Sequence, residues 1–137
     1  MHEHHHAHRV RYRECDRMGI VYHTHYLDYF EAARTEMIRE LGVPYLTIED
    51  SGLLIQVVQV NIRFHSPAFY DDELLVTARV SKLPSSRLVI ENEVRRKGET
   101  KILASGQIDL CFVDAGTKRP VRAPDYFVAA LERAFSA

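Results

Sequence analysis

HYLDYFEAARTEMIREL, residues His25–Leu41, is the stretch that decides how the chain folds. Tyr26, Tyr29, Phe30, Ala33, Met37 and Leu41 recur at steps of three and four, while Asp28, Glu31, Glu36 and Arg39 fall between them. This spacing lines the apolar side chains along one stripe of an α-helix. Thr24 is the expected N-cap, and Gly42 and Pro44 end the helix. At 1.5 Å per residue it runs about 25 Å. A helix of that length has to bury its stripe against a broad apolar surface, which only a sheet can offer.

The rest of the chain supplies one. Val58, Val60, Ile62 and Phe64 alternate with Gln59, Asn61 and Arg63, the pattern of a strand with one buried face. Val76, Ala78 and Val80 repeat the alternation, and Leu88, Ile90 and Val94 follow after the Pro84-Ser85-Ser86 turn. Beyond a turn at Lys97-Gly98-Glu99, Ile108, Leu110 and Phe112 share a face. Connections this short favour antiparallel strands in a meander. Pro124 sits where a helix would start, and Phe127, Val128, Leu131 and Phe135 make a short amphipathic C-terminal helix. The expected architecture is α+β, a long central helix on a twisted antiparallel sheet of about five strands. The uncovered face of the sheet stays partly apolar, which favours a homo-oligomer.

Composition bounds the function. The chain has 137 residues, 46% hydrophobic and 27% charged, as expected of a single compact domain. A net charge of −1 offers no global attraction to nucleic acid or to an anionic membrane. No apolar run approaches the roughly 20 residues of a bilayer span, and the N-terminus has no apolar signal core, so a cytoplasmic protein is expected. Cys15 and Cys111 lack metal-ligand spacing and fit a reducing compartment. The histidines are unusual, with His2, His4, His5, His6 and His8 crowded into MHEHHHAH. Residues 1–7 read as a flexible His-rich tail able to bind metal adventitiously, and residues 8–137 as one domain.

Reactive side chains concentrate in YRECDRMGIVYHTHY, Tyr12–Tyr26, a loop feeding the helix N-terminus. A helix start presents backbone N–H groups that stabilise developing negative charge, and Asp16 stands a few residues ahead of Tyr22 and His23. A carboxylate beside such donors is the minimum for hydrolysis of a carbonyl compound. From spacing alone Asp16 reads equally as a turn residue. Cys15 is the rival nucleophile, although small buried cysteines are usually inert. A zinc pair of His23 and His25 lacks a third ligand at any suitable spacing. His65 reads as structural or as the edge of a site.

Tyr12, Cys15-Asp16, Gly19-Ile20-Val21-Tyr22-His23, Tyr26, Phe30-Glu31, Ala33-Arg34 and Glu36-Met37 together resemble the hotdog-fold acyl-CoA thioesterases, the 4-hydroxybenzoyl-CoA thioesterase family and its YbgC-like branch. The likeness continues through Ile62–Leu74 and Ile108-Asp109-Leu110 to Pro124. It implies a hotdog fold, hydrolysis of an acyl-CoA or an acyl carrier protein thioester without cofactor or metal, and a homo-oligomer, a dimer at least and a tetramer by expectation. It further implies Asp16 as nucleophile or general base, the backbone N–H of His23 as the donor to the thioester carbonyl, and Tyr22 beside the acyl group. His25 and Arg17-Met18 depart from the smaller residues usual in the family, so His25 and Met18 are expected to line or narrow the pocket. Apolar neighbours Met18, Ile20 and Val21 are expected to bury Asp16. The cluster Arg95-Arg96-Lys97 reads either as a solvated strand end or as a contact of Arg95 with the CoA phosphates, shared by Arg87 across neighbouring strands or from a partner subunit. The rival reading is a non-catalytic acyl-thioester binding or scaffold protein of the same fold.

Overall fold

The computed structural model describes residues 1–137. Helix α1 spans His25–Glu40 and buries Tyr26, Tyr29, Phe30, Ala33 and Met37 as expected from their spacing, together with Ile38, which the expected stripe did not include; Leu41, expected to end the stripe, is the half-buried C-cap. Each large apolar side chain buried this way is worth about 1.5–3 kcal/mol. The surface it packs on is a five-stranded antiparallel sheet, built from β1 (His2–Arg9), β2 (Leu53–Phe64), β3 (Glu73–Val80), β4 (Arg87–Arg96) and β5 (Ile102–Asp114) in the order β1-β3-β4-β5-β2. Leu74, Val76, Ala78 and Val80 of β3 alternate with Leu88, Ile90 and Val94 of β4 and Ile108, Leu110 and Phe112 of β5 to floor the core. This helix wrapped by a sheet is the hotdog arrangement.

Phe30 sets how closely the helix approaches. A Cβ added at Gly106 on β5 would lie 2.7 Å from Phe30 Cε2 and 3.0 Å from the Asn61 carbonyl. Only glycine leaves room for the ring at that level of the sheet. Helix α3 (Asp125–Ser136) starts after Pro124 and closes one end of the core, with the Phe127 ring edge-on to Phe112 at 5.1 Å.

The structure departs from the sequence reading at five points. Residues 1–7 are not a flexible tail, because His2–Arg9 form β1 and pair along their whole length with β3. Alternation aims His2, His4, His6 and His8 at the helix side, where His4 Nδ1 meets Glu40 Oε2 at 2.8 Å and His8 Nε2 meets Glu14 Oε1 at 2.9 Å. On the other face Arg79 donates to Glu3 at 2.6 Å. Polar side chains carry no apolar alternation, yet here they find ionic partners on neighbouring elements. The meander holds only for β3–β4–β5, since segment 65–72 carries the chain across the sheet and β2 pairs with β5. Val58, which opens the expected alternation, is the extra residue of a bulge between Val57 and Gln59 and has no partner on β5, so the phase of Val60, Ile62 and Phe64 is not that of Leu53–Val57. A short helix α2 (Tyr45–Asp50) follows α1 unannounced, covering the buried Arg34, whose Nε donates to Tyr45 Oη at 3.2 Å. Thr24 takes the N-cap place but its side chain makes no capping bond. No helix is long and apolar enough to cross a membrane.

Gly106→Ala is expected to destabilise the fold by about 1–3 kcal/mol through overpacking against Phe30, read as a lower urea midpoint. A second expectation concerns β1. Burial, with a smaller push from neighbouring histidines, holds the His2 and His6 imidazoles below their ordinary value of 6.5. The unfolded chain therefore takes up more protons below that value, so the strand's contribution is complete above pH 6.5 and declines as the pH falls beneath it. The melting temperature of His6→Gln should fall less steeply than that of the wild type between about pH 7.5 and 5.5; parallel slopes would contradict this.

Candidate active site

The loop ahead of α1 is closed by backbone contacts that leave its carboxylate pointing outward. A 3-10 turn, Tyr12–Glu14, leads into a bridge between Cys15 and Val21. Inside it Asp16 N–H donates to the Ile20 carbonyl at 2.9 Å and Gly19 N–H returns to the Asp16 carbonyl at 3.0 Å. Gly19 sits at φ +75°, a conformation that costs glycine little. Oδ1 of Asp16 accepts the Met18 N–H at 2.8 Å, and Oδ2 has no partner in the chain. The aspartate is thus both a turn residue and a presented carboxylate, with one oxygen for each role.

At the mouth of α1 the backbone supplies donors. Tyr22 N–H is taken by the Glu14 carbonyl at 2.9 Å, and those of His25, Tyr26 and Leu27 by the carbonyls of Tyr22, His23 and Thr24. The N–H groups of His23 and Thr24 have no acceptor in the chain. These are the orphan donors every helix start leaves, here without a side-chain cap.

Asp16, Tyr22, His23 and Tyr26 line a cavity of about 350 Å³, with Ile20 and Val21 beside them. Its far wall comes from the end of β2, Phe64 through Pro67. Phe64 stands edge-on to Tyr26 at 5.3 Å and to His23 at 6.3 Å, and the His23 ring lies 4.5 Å from that of Tyr22. Arg96 anchors this wall, donating to Asp72 Oδ2 at 2.8 Å and to the Pro67 carbonyl at 2.9 Å. The result is a slot with apolar walls whose lining includes Asp16, with a free carboxylate oxygen, and His23, with a free N–H. That combination orients a carbonyl group attached to an apolar chain.

Of the residues singled out in the sequence, Asp16, Tyr22 and His23 meet in this cavity. His25 does not. Successive helical residues turn by about 100°, so position 25 faces away from position 23; it pairs with Asp28 at 3.2 Å and lines a separate cavity with His6 and His8. Met18 is 79% exposed at the loop tip, outside the lining, so it neither narrows the pocket nor buries Asp16, which is itself exposed. Arg87 and Arg95 lie on the sheet face away from α1, paired with Asp109 at 3.5 Å and Glu93 at 2.7 Å, and neither reaches the cavity of its own chain. His65, read from the sequence as structural or as the edge of a site, lines the cavity, whereas Phe64, Ser66 and Pro67 beside it carry no motif that marks them as a wall.

Cys15, the rival nucleophile, is half-buried. Burial pushes its thiol up, and the carboxylates of Glu14, Asp16 and Asp72 push it further. Both effects suppress the thiolate.

The sequence profile of the Thioesterase-like superfamily matches residues 10–131, and the chain belongs to that superfamily. It is 34% identical over 123 residues to the acyl-CoA thioesterase YbgC of Haemophilus influenzae, covering 89% of each chain. It is also 34% identical over 114 residues to the putative acyl-CoA thioesterase YneP of Bacillus subtilis, covering 82% of this chain and 81% of that one. Among solved structures it is similar to a DHNA-CoA thioesterase from Staphylococcus aureus, with a TM-score of 0.87 at 29% identity over 99% of this chain and 90% of the other.

The suppressed thiolate has a direct readout. At about pH 7.5 Cys15 should alkylate with iodoacetamide more slowly than free cysteine, as followed by peptide mass spectrometry; faster labelling would mark it as an activated nucleophile.

Proposed function

We propose that this protein hydrolyses the thioester of an acyl-CoA to the free acid and CoA. The observation that carries the reading is that Asp16, whose Oδ2 has no partner, and His23, whose N–H has no acceptor, line the same cavity. A thioester carbonyl bound there accepts from the His23 N–H, and the helix start favours the negative charge that gathers on its oxygen. The acyl group lies along Tyr22, Tyr26 and Phe64. Asp16 acts in one of two ways. As a nucleophile its carboxylate adds to the carbonyl carbon and the C–S bond breaks, releasing the CoA thiolate and leaving an acyl anhydride; water opens the anhydride to the free acid and the Asp16 carboxyl, whose proton converts the thiolate to the thiol. As a general base it takes a proton from the water that attacks, and returns it to the thiolate. The His23 ring packs between Tyr22 and Phe64, so His23 contributes chiefly through its backbone. The names borne by the YbgC and YneP relatives support acyl-CoA as the substrate class. An acyl carrier protein thioester presents the same reacting atoms.

The active unit is a homodimer built on β2. Val57, Val58, Val60 and Phe64 are all large, apolar and more than two-fifths exposed, on a strand with one free edge. A long apolar edge is a template for pairing with another strand. Two-fold pairing of β2 with its copy covers this surface and brings a second chain beside Phe64 and the open side of the cavity. Contact of Arg87 or Arg95 with CoA phosphates would have to be delivered by another copy.

Assay of an acyl-CoA panel for thiol release is expected to give turnover with at least one substrate. Asp16→Asn should lower kcat by roughly 10²- to 10⁴-fold with binding retained, and Cys15→Ala should leave turnover near wild type. An active Asp16→Asn beside a dead Cys15→Ala would overturn the assignment, and tight binding without turnover by the wild type would make the protein an acyl-thioester binder. Val60→Lys should convert dimer to monomer in analytical ultracentrifugation; an unchanged dimer would place the interface elsewhere.

A further inference from the structure

Glu14 lies two positions before Asp16, is 6% exposed, and belongs to no part of the substrate cavity. One oxygen of its carboxylate, Oε1, accepts three hydrogen bonds, each from a different element. His8 Nε2 reaches it from β1 at 2.9 Å, the Arg11 N–H from the start of the 3-10 turn at 3.0 Å, and Tyr29 Oη from the buried face of α1 at 2.8 Å. The His8 and Tyr29 rings also lie against each other at 4.6 Å. Burial alone would push the Glu14 carboxyl up, but these hydrogen bonds outweigh it and hold the group below its ordinary value, as the carboxylate. Burial, with the bond to Glu14 adding to it, pushes the Tyr29 phenol far up, so it stays a donor.

The main chain of Glu14 makes the other half of the connection. Its carbonyl accepts the Tyr22 N–H at 2.9 Å, the last bond before the free N–H of His23. One residue thus ties the base of the loop to the helix and to β1 through its side chain, and the far end of the loop through its backbone. The two groups that act on the thioester, Asp16 and the His23 N–H, are the ones set on either side of these ties. A buried carboxylate is a costly element for merely closing a turn, since an apolar side chain would fill the space without the desolvation. Its value lies in direction, because three donors converging on one oxygen fix the loop's position against the helix axis.

We propose that Glu14 is a positioning residue for the thioesterase reaction, with His8 of the His-rich strand and Tyr29 of α1 as its anchors, setting the distance between the Asp16 carboxylate and the His23 N–H. This rests on the hydrolase reading of the cavity. It also gives the N-terminal strand a role in turnover, through His8.

Displacement of reacting groups by about 1 Å costs on the order of a hundredfold in rate. Glu14→Ala is therefore expected to lower kcat by roughly ten- to a hundredfold with KM within about threefold of wild type, and Glu14→Gln, whose amide oxygen still accepts from Arg11 and Tyr29, to recover most of that loss. Tyr29→Phe, which keeps the ring in the core, should lower kcat by about three- to tenfold and carries the test if Glu14→Ala does not fold. Hydrogen exchange supplies a readout independent of turnover, since the Tyr22 amide should lose protection in Glu14→Ala and Tyr29→Phe while β4 and β5 keep theirs. A purely structural role would instead lower protection evenly across the sheet and leave kcat unchanged. The proposal fails if kcat in these variants stays within about twofold of wild type, or if Tyr22 protection is unaltered. Asp16→Asn run alongside separates the two readings: full activity in that variant sinks the hydrolase mechanism, and the exchange measurement then still decides whether Glu14 orders the loop.

Discussion

Everything in this molecule follows from laying one apolar helix stripe along the inside of a curved sheet, with Phe30 of the helix over Gly106, where a Cβ would not fit. With the ring seated where β5 lacks a side chain, α1 has one height and one direction across the strands. Its N-terminus then falls at the end of β2, beside Phe64, and the cavity between them is a product of this packing. The helix start could have been closed by a capping hydroxyl worth about 1 kcal/mol. Thr24 occupies the position and does not cap, so the His23 and Thr24 N–H groups stay free. Burial of Phe30, Met37 and Ile38, each worth about 1.5–3 kcal/mol, readily offsets that loss.

The loop that carries Asp16 is stiff for a different reason. It is closed by its own backbone through the Cys15–Val21 bridge and the turn at Gly19, and anchored by the Glu14 carboxylate. Carboxylates and thiol there serve opposite ends. Glu14 is held ionised by donors, Asp16 keeps an oxygen free, and burial, reinforced by the negative charge of both, keeps Cys15 protonated. A loop built this way favours oxygen chemistry over sulfur chemistry at the same place.

Legibility in the sequence tracked how local each interaction is. The apolar stripe of α1 and the alternation in β3, β4 and β5 were readable because side chains within one element have to share a face. β1 was unreadable for the converse reason. Its helix-facing side chains are His2, His4, His6 and His8, and what makes them a strand is the ladder to β3 and the carboxylates of Glu40 and Glu14. The bulge at Val58 likewise shows only against the register of β5. At the site, Asp16, Tyr22 and His23 were found through a motif, whereas His25 was misplaced because neighbours in sequence turn apart at a helix start. Arg87 and Arg95 stand on the sheet face away from the cavity of their own chain, since a strand's face is fixed by the sheet as a whole.

The sequence by itself determined α1, the alternation of β3, β4 and β5, α3 and the superfamily, and singled out the loop of Asp16 as the candidate site, since periodicity and a short motif are properties of contiguous residues. Only the tertiary structure decided that the histidines form an edge strand, that Phe64 to Pro67 wall the cavity, and that Glu14 joins His8, Arg11 and Tyr29 at a single oxygen. Those are contacts between residues far apart in the chain. They come into being when the sheet closes on the helix, and no local pattern carries them.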